Sequence, residues 1–172
     1  LLSGLVDHFD AKGPILDEKV EAIEAVRQSV LTRIKRPRGF EKRLVKALAA
    51  LQKEQADVAA PLLAELQRHY AYEPQVHLGL ARLAAEREAW NEVLGYAIKA
   101  LTVTPRERRA WWWAGVAFSQ LEERSSAVAS FHNLVNLGGN AKDGLAFLRA
   151  RRGEPGMEQR LQRTIDDTLG AF

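Results

Sequence analysis

Apolar residues recur at intervals of three and four along most of the chain, which is the spacing that places them on one face of an α-helix. A clean stripe of this kind lies between residues 41 and 53 and is formed by Leu44, Ala47, Leu48 and Leu51. No segment has a credible strand pattern. The chain is therefore predicted to be all-α, with about ten helices.

The N-terminal region, residues 1–39, is predicted to contain two helices and a basic connector. A short helix over residues 1–10 ends before Gly13 and Pro14, and a longer amphipathic helix runs from Ile15 to Ile34. The connector is KRPRG at residues 35–39. It is either a solvated linker or a docking patch for an anionic partner.

The segment from Trp111 to Phe131 has the most specific pattern in the chain. Its first half carries a buried helical stripe formed by Trp111, Ala114 and Phe118. Gly115 lacks a side chain, so a neighbouring helix can approach closely there. Ala127 is small where a second helix crosses the first, and Phe131 fills the space below it. Such a hairpin needs neighbours of its own kind to bury its apolar face.

These residues match the tetratricopeptide pattern, in which W-x2-L-G-x2-Y is followed by A-x3-F. The chain resembles a tetratricopeptide repeat (TPR) protein. The resemblance implies a right-handed superhelix of antiparallel helix hairpins that repeat every 34 residues. It divides residues 40–141 into a degenerate repeat at 40–73 and two clearer repeats at 74–107 and 108–141.

The resemblance is weaker outside the repeat at 108–141. In the repeat at 74–107, His77 stands where the family has Trp, which predicts thin packing. In the repeat at 40–73 the first helix is read as shifted by about one residue, and Asp57 is expected to cap the second helix. Residues 1–39 are expected to be N-terminal helices, as a degenerate repeat or a cap. Residues 142–172 are expected to be an incomplete repeat and a capping helix.

Composition narrows the class of protein without naming a function. The chain of 172 residues is 47% hydrophobic and 27% charged, which is ordinary for a single globular domain. The absence of cysteine excludes disulfides and thiolate chemistry. The net charge of +3 is spread almost evenly, with no concentrated basic face, so no nucleic-acid partner is expected. The longest apolar run, at 110–118, is too short to span a membrane, so no membrane insertion is expected.

No catalytic or metal-binding constellation is recognisable. The four histidines, His8, His69, His77 and His132, have no paired metal spacing, and no phosphate-binding glycine loop or nucleophile elbow is present. Asp166 and Asp167 are adjacent on a helix and point to different sides, which does not form an acid/base pair. We expect a protein that is not an enzyme and that has no cofactor.

The resemblance implies a binding groove along the first helices of successive repeats. Carried over by position, the groove is lined by Gln75, Leu78, Arg82 and Ala85 of one repeat and by Arg109, Trp112, Val116 and Ser119 of the next. Lys42, Val45 and Ala49 are weaker candidates from the first repeat. Successive residues of a helix turn about 100°, so three consecutive tryptophans cannot share one neighbour. Trp111 is expected to pack, Trp112 to line the groove as an exposed residue, and Trp113 to pack on the preceding repeat.

The residues of the groove predict its partner. The Lys and Asn clamp that many TPR proteins use for the acidic tails of chaperones is absent here. An apolar surface beside Arg82 and Arg109 suits a protein segment that inserts apolar side chains and carries an acidic group. The leading hypothesis is a non-catalytic scaffold in a larger bacterial assembly, located in the cytoplasm or, alternatively, in the periplasm.

Three alternatives to this hypothesis remain open. The chain could be the soluble domain of a membrane-anchored secretion or exopolysaccharide-biogenesis protein, a regulatory or targeting domain of a larger enzyme, or a homodimer that uses Trp112 and its C-terminal helix. Because it begins at Leu1 without an initiator methionine, we expect a fragment or a processed form.

Overall fold

The structure of the chain is a computed structural model that describes residues 25–26, 29–30, 34–138, 142–156 and 159–170. These residues form eight helices and no strand, which confirms the all-α prediction. The helices are α1 (Phe40–Gln52), α2 (Ala56–His69), α3 (Pro74–Glu86), α4 (Trp90–Val103), α5 (Arg108–Gln120), α6 (Arg124–Asn136), α7 (Lys142–Arg151) and α8 (Gln159–Gly170). The two further helices predicted before residue 34 lie largely outside the described residues, of which 25, 26, 29 and 30 are helical.

The helices pair into hairpins that repeat with a fixed period. The first helices α1, α3, α5 and α7 begin 34 residues apart, at Phe40, Pro74, Arg108 and Lys142. Each helix packs against its neighbours in sequence, and α3 also contacts both α1 and α5. The first helices therefore lie side by side along one face of the stack, which we call the inner face.

The turn inside each hairpin is also periodic. Glu54, Glu88 and Glu122 each follow the first helix by two residues and adopt the left-handed conformation, with φ values of 57°, 55° and 62°. The next residue donates a backbone N–H back into the helix, as Ala89 does to the carbonyl of Ala84 at 3.0 Å. This is a Schellman closure, which favours glycine at the left-handed residue. After α7, Gly153 lies at that position, with φ 73°.

The fourth residue of each first helix shows that the first repeat is in register. Trp111 Nε1 donates to the carbonyl of Pro105 at 2.8 Å, and His77 Nε2 contacts the carbonyl of Ala71 at the same distance, six residues upstream in both repeats. Arg43 occupies this position in α1 and donates to the carbonyl of Arg38 at 2.9 Å. The prediction that the first helix is shifted by a residue is wrong, because α1 keeps the 34-residue spacing.

The cap of α2 also differs from the prediction. The N-cap is Gln55, and Asp57 lies inside the first turn. Asp57 therefore supports the helix through the dipole instead of a cap hydrogen bond. Pro61 lies inside α2 without ending it, since a proline near the start of a helix removes few hydrogen bonds.

Complementary sizes pack the hairpins together. A Cβ added at Gly115 would lie 2.6 Å from Cε1 of Phe131, so the predicted close approach of α5 and α6 is confirmed. A Cβ at Gly79 would lie 2.9 Å from Cδ1 of Leu63 on the preceding hairpin. In the interface between the next two hairpins the large and small residues are exchanged. Trp113 stands at the position of Gly79 and Ala97 at that of Leu63, and both belong to one packed cluster.

The C-terminal helices extend the stack. Helix α7 packs on α6, and α8 packs on both α6 and α7. Leu148 and Ile165 are fully buried and join the cluster that contains Trp111, Phe131 and Leu134. Residues 142–170 therefore form a fourth hairpin that covers the apolar surface of α6.

Candidate functional site

The predicted groove residues lie on α3 and α5, the two middle first helices of the inner face. A hydrogen bond joins the two helices at one edge: Nη2 of Arg109 donates to Oε1 of Gln75 at 2.7 Å. Glu107 orients the arginine, since its carboxylate lies 3.5 Å from Nε of Arg109 and accepts the backbone N–H of that residue at 3.3 Å. Arg109 nevertheless keeps most of its side chain in solvent, with an exposure of 64%.

Arg82 supplies a second cation on the inner face. Its Nε lies 3.6 Å from a carboxylate oxygen of Glu86, one turn further along α3, and both side chains are about two-fifths exposed. An exposed pair of this kind contributes little to stability. Arg82 can therefore exchange Glu86 for an acidic group of a partner at small cost.

Two of the predicted groove residues make internal contacts. Leu78 is only 6% exposed and packs in the cluster of Trp111 and Leu101 between α4 and α5. The expectation that Leu78 presents its side chain to a partner is therefore corrected: it supports the inner face from beneath. Ser119 is half-buried and donates its hydroxyl to the carbonyl of Val116 at 2.7 Å.

The three consecutive tryptophans have different surroundings. Trp111 is buried, with 3% exposure. Trp113 is half-buried and packs against two clusters, both of which include residues of α4. Trp112 is also half-buried and packs against the same cluster as Val116. The centre of its ring lies 4.7 Å from that of the Trp113 ring, and the two rings meet edge-on. Trp112 is thus less exposed than expected, because its neighbouring indole covers part of it.

Trp112 remains the largest apolar residue with solvent exposure among the predicted groove residues. Within the part of the chain that the structure describes, its indole N–H makes no hydrogen bond. Half-exposed tryptophans with an available donor are typical of interface hot spots. Trp112 and Val116 are the partly exposed apolar residues among the predicted groove positions of α5.

The first repeat contributes different residues from those predicted. In the corrected register, the residues of α1 equivalent to Gln75, Leu78 and Arg82 are Glu41, Leu44 and Leu48. Lys42 and Val45 lie one position further on and are exposed, and Ala49 is half-buried. Leu44 is only 6% exposed, so the equivalent residues that remain accessible are the exposed Glu41 and the half-buried Leu48.

Arg36 of the basic connector is engaged within the protein. Arg36 forms ion pairs with Glu41 and, at 2.8 Å, with Glu73, and its guanidinium lies over the rings of Phe40 and Tyr70 at 5.8 and 5.9 Å. Glu73 is 7% exposed and also caps α3. Sequence reasoning missed this cluster because its members are 37 residues apart, although the 34-residue period places the connector beside the start of α3.

Sequence reasoning also missed a cavity of about 670 Å³ beside His77. It lies where the C-terminal ends of α2 and α4 meet the segment before α1, and half of the residues that line it are aliphatic. Burial lowers the pKa of His77, outweighing the hydrogen bond to Ala71 that favours the charged form. No group of three metal-ligating side chains occurs in the described residues. The cavity shares no residue with the predicted groove.

The geometry defines a helical-repeat protein, and solved structures identify the kind of repeat. The chain is similar to the Sgt2 TPR domain from Aspergillus fumigatus, with a TM-score of 0.54, 16% identity and coverage of 78% of this chain and 80% of that one. It is also similar to the Arabidopsis OM64 TPR domain, with a TM-score of 0.52, 16% identity and coverage of 78% and 97%. No protein-family model and no curated protein matches the sequence.

The chain therefore has a TPR-like fold, as the sequence pattern indicated. At this level of identity the likeness establishes the architecture alone. Within the described residues, no helix is long and apolar enough to cross a membrane.

Proposed function

We propose that this protein is a non-catalytic scaffold that binds a segment of a protein partner on its inner face. The observation that carries the proposal is the half-buried Trp112 of α5, whose indole N–H has no hydrogen-bond partner among the described residues, together with the partly exposed guanidinium groups of Arg82 and Arg109 on the neighbouring first helices. A tryptophan together with arginines suits a partner with an apolar anchor and a carboxylate. The repeat architecture supports this function, because it presents side chains of several helices along one surface.

The proposed partner segment places its apolar anchor against Trp112 and Val116. Its acidic group pairs with Arg82, which gives up only an exposed ion pair with Glu86. Arg109 is held by Gln75 and Glu107 and needs no rearrangement. Binding to a preorganised arginine costs less ordering entropy, so an acidic group at this edge should fix the orientation of the segment.

Selection from a library of displayed peptides tests the proposal. Peptides enriched by the wild-type chain should carry an acidic residue near an apolar one and should lose at least about tenfold in affinity for Trp112→Ala or Arg82→Glu. Arg68→Glu, on the exposed side of α2, is the charge-matched control and should bind as the wild type does. Equal binding by all four proteins would refute the inner-face site.

The finer biological setting is also part of the proposal. We place the scaffold in a bacterial assembly, on the strength of its Ala-, Leu- and Arg-rich sequence, and in the cytoplasm. The alternatives are a soluble domain of a membrane-anchored secretion or exopolysaccharide-biogenesis protein and a regulatory domain of an enzyme. A homodimer would compete for Trp112. Sedimentation at several concentrations, with Trp112→Ala as the comparison, separates self-association from binding of a foreign partner.

A further inference from the structure

Each first helix after α1 uses one face to receive the second helix of the preceding hairpin. In α3 the third, seventh and tenth residues form this face and pack in one buried cluster with residues of α2; they are Val76, Leu80 and Leu83. In α5 the same positions carry three buried alanines, in clusters that contain residues of α4; they are Ala110, Ala114 and Ala117. The face is apolar and covered in both helices.

The same face of α1 is basic and open. Its third, seventh and tenth residues are Lys42, Lys46 and Ala49, of which the lysines are exposed and the alanine is half-buried. Lys53 directly follows α1 and continues the stripe two turns beyond Lys46. We call these four residues and Val45 the lysine face. The even spread of charge along the sequence conceals it, because its lysines share one side only when the segment is helical.

Val45 is the apolar residue of the lysine face. Its counterpart in α3 is Gly79, which lies against Leu63 of the preceding hairpin, and its counterpart in α5 is Trp113, which packs with residues of α4. Val45 itself is 65% exposed, so no described part of the chain covers it. A position that packs against a helix in two later repeats is therefore available for a helix in the first.

The charge of the lysine face is of one sign. Among the described residues, Lys42, Lys46 and Lys53 form no ion pair. Glu41 is the one carboxylate of α1, and it pairs with Arg36. A surface that only had to keep the end of the stack soluble would carry both signs of charge. Charge of a single sign attracts an oppositely charged partner and speeds its association.

We propose that the lysine face binds an acidic α-helix of a partner protein, which packs on α1 as α2 packs on α3. An apolar side chain of the partner helix contacts Val45, and carboxylates on the same side of that helix pair with Lys42, Lys46 and Lys53. A helix fits better than a lipid surface, because these positions receive a helix in α3 and α5 and a single valine offers little apolar area to a membrane. The site does not depend on the proposed binding at the inner face.

Fluorescence anisotropy with a designed acidic peptide tests this assignment. The peptide is alanine-rich and about 20 residues long, which is enough to hold a helix. It carries a leucine and three glutamates on one side, with the glutamates at intervals of four and seven residues. The comparison peptide has the same composition, with its glutamates spread around the helix. The wild-type chain should bind the first peptide saturably, less tightly as salt rises, and the second at least about tenfold more weakly.

Variants locate the binding on α1. Lys46→Glu should weaken binding of the first peptide at least about tenfold, and Val45→Gln at least about threefold, because each removes one contact of the partner helix. Arg68→Glu makes the same change of charge on the exposed side of α2 and should bind as the wild type does. Trp112→Ala, on the inner face, should also bind normally. Thermal unfolding should show all four variants folded.

Four outcomes would overturn the proposal. They are no binding of the first peptide by the wild type, equal affinity for the two peptides, undiminished binding by Lys46→Glu, and equal weakening by Arg68→Glu. Co-sedimentation with vesicles that contain phosphatidylserine examines the lipid alternative. Binding of the wild-type chain to these vesicles, without binding of the first peptide, would assign the lysine face to a membrane surface instead.

Discussion

At the scale of single residues, the fourth residue of the first helix makes the same kind of hydrogen bond in three repeats with three different side chains. Arg43, His77 and Trp111 each donate a side-chain N–H to a carbonyl in the loop before their helix. The interaction ties each hairpin to the loop that precedes it and satisfies a backbone group that would otherwise need water. A sequence pattern that scores only tryptophan at this position overlooks the donor that arginine and histidine share with it.

The burial of two histidines predicts a dependence of stability on pH. Burial lowers the pKa of both His77 and His132, although Asp167 opposes the shift at His132. The unfolded chain takes up these protons near pH 6.5, and the folded chain takes them up only at lower pH. Stability should therefore be complete above about pH 6.5 and should fall at lower pH, by at most about 1.4 kcal/mol per pH unit for each histidine.

Chemical unfolding at pH 7.5 and pH 5.5 measures this effect. His77→Gln keeps an N–H that can reach the carbonyl of Ala71 but cannot take up the proton, so its stability should depend less on pH. The double variant with His132→Gln should be flatter than either single variant. An unchanged pH dependence in the double variant would contradict the prediction.

The contact of Gly115 with Phe131 gives a second test at this scale. Gly115→Ala would place its Cβ 2.6 Å from a ring that is itself buried, and should destabilise the fold by about 1–3 kcal/mol. The equivalent pair in the first repeat is Ala47 and Leu63. Adding Phe131→Leu to Gly115→Ala recreates that pair and should recover part of the loss in urea unfolding. Full stability of Gly115→Ala alone would contradict the packing argument.

At the scale of the element, the turns carry strain that one repeat avoids. Glu54, Glu88 and Glu122 hold a left-handed backbone that glycine adopts without penalty, and Gly153 is the equivalent residue of the last hairpin. Nothing in the helical stripe of the sequence marks these glutamates, because their cost arises from the closure of the helix and not from burial.

Glu88→Gly should therefore stabilise the protein, by about 0.5–1 kcal/mol. Gly153→Glu is the reciprocal change and should cost a similar amount. Denaturant midpoints at constant m-value measure both effects. A lower stability of Glu88→Gly would contradict the prediction, because it would show that contacts of the glutamate side chain offset the strain of its left-handed backbone.

At the scale of the whole molecule, stability depends on contacts between neighbouring hairpins. The last hairpin buries Leu148 and Ile165 against the cluster of α5 and α6. Removal of this hairpin would expose apolar surface along α6, in the manner of a solenoid without its terminal cap.

Deletion of residues 142–172 should lower the melting temperature and promote self-association, which light scattering would detect. In the full chain, Leu148→Ala should cost about 2–5 kcal/mol, because Leu148 is fully buried. Arg149→Ala, at the adjacent exposed position, is the control and should have little effect. A truncated chain as stable and monomeric as the full chain would contradict the capping role.

The sequence by itself determined the class of fold, because the pitch of the helix sets the spacing of the apolar residues. The close approach of two helices likewise requires a small residue at Gly115. It also indicated the 34-residue period and the different surroundings of Trp111, Trp112 and Trp113. These features depend on contacts between residues that lie close in sequence or at a constant spacing.

Only the tertiary structure decided which inner-face residues are accessible. Leu78 is buried by α4 and α5 together, and Trp112 is half-covered by Trp113, so their exposure depends on helices whose spacing no single stripe encodes. The ion pair of Arg36 with Glu73 and the cavity beside His77 likewise arise where separate hairpins meet. Such features depend on the shapes of several side chains at once, and those shapes are defined only after the hairpins have stacked.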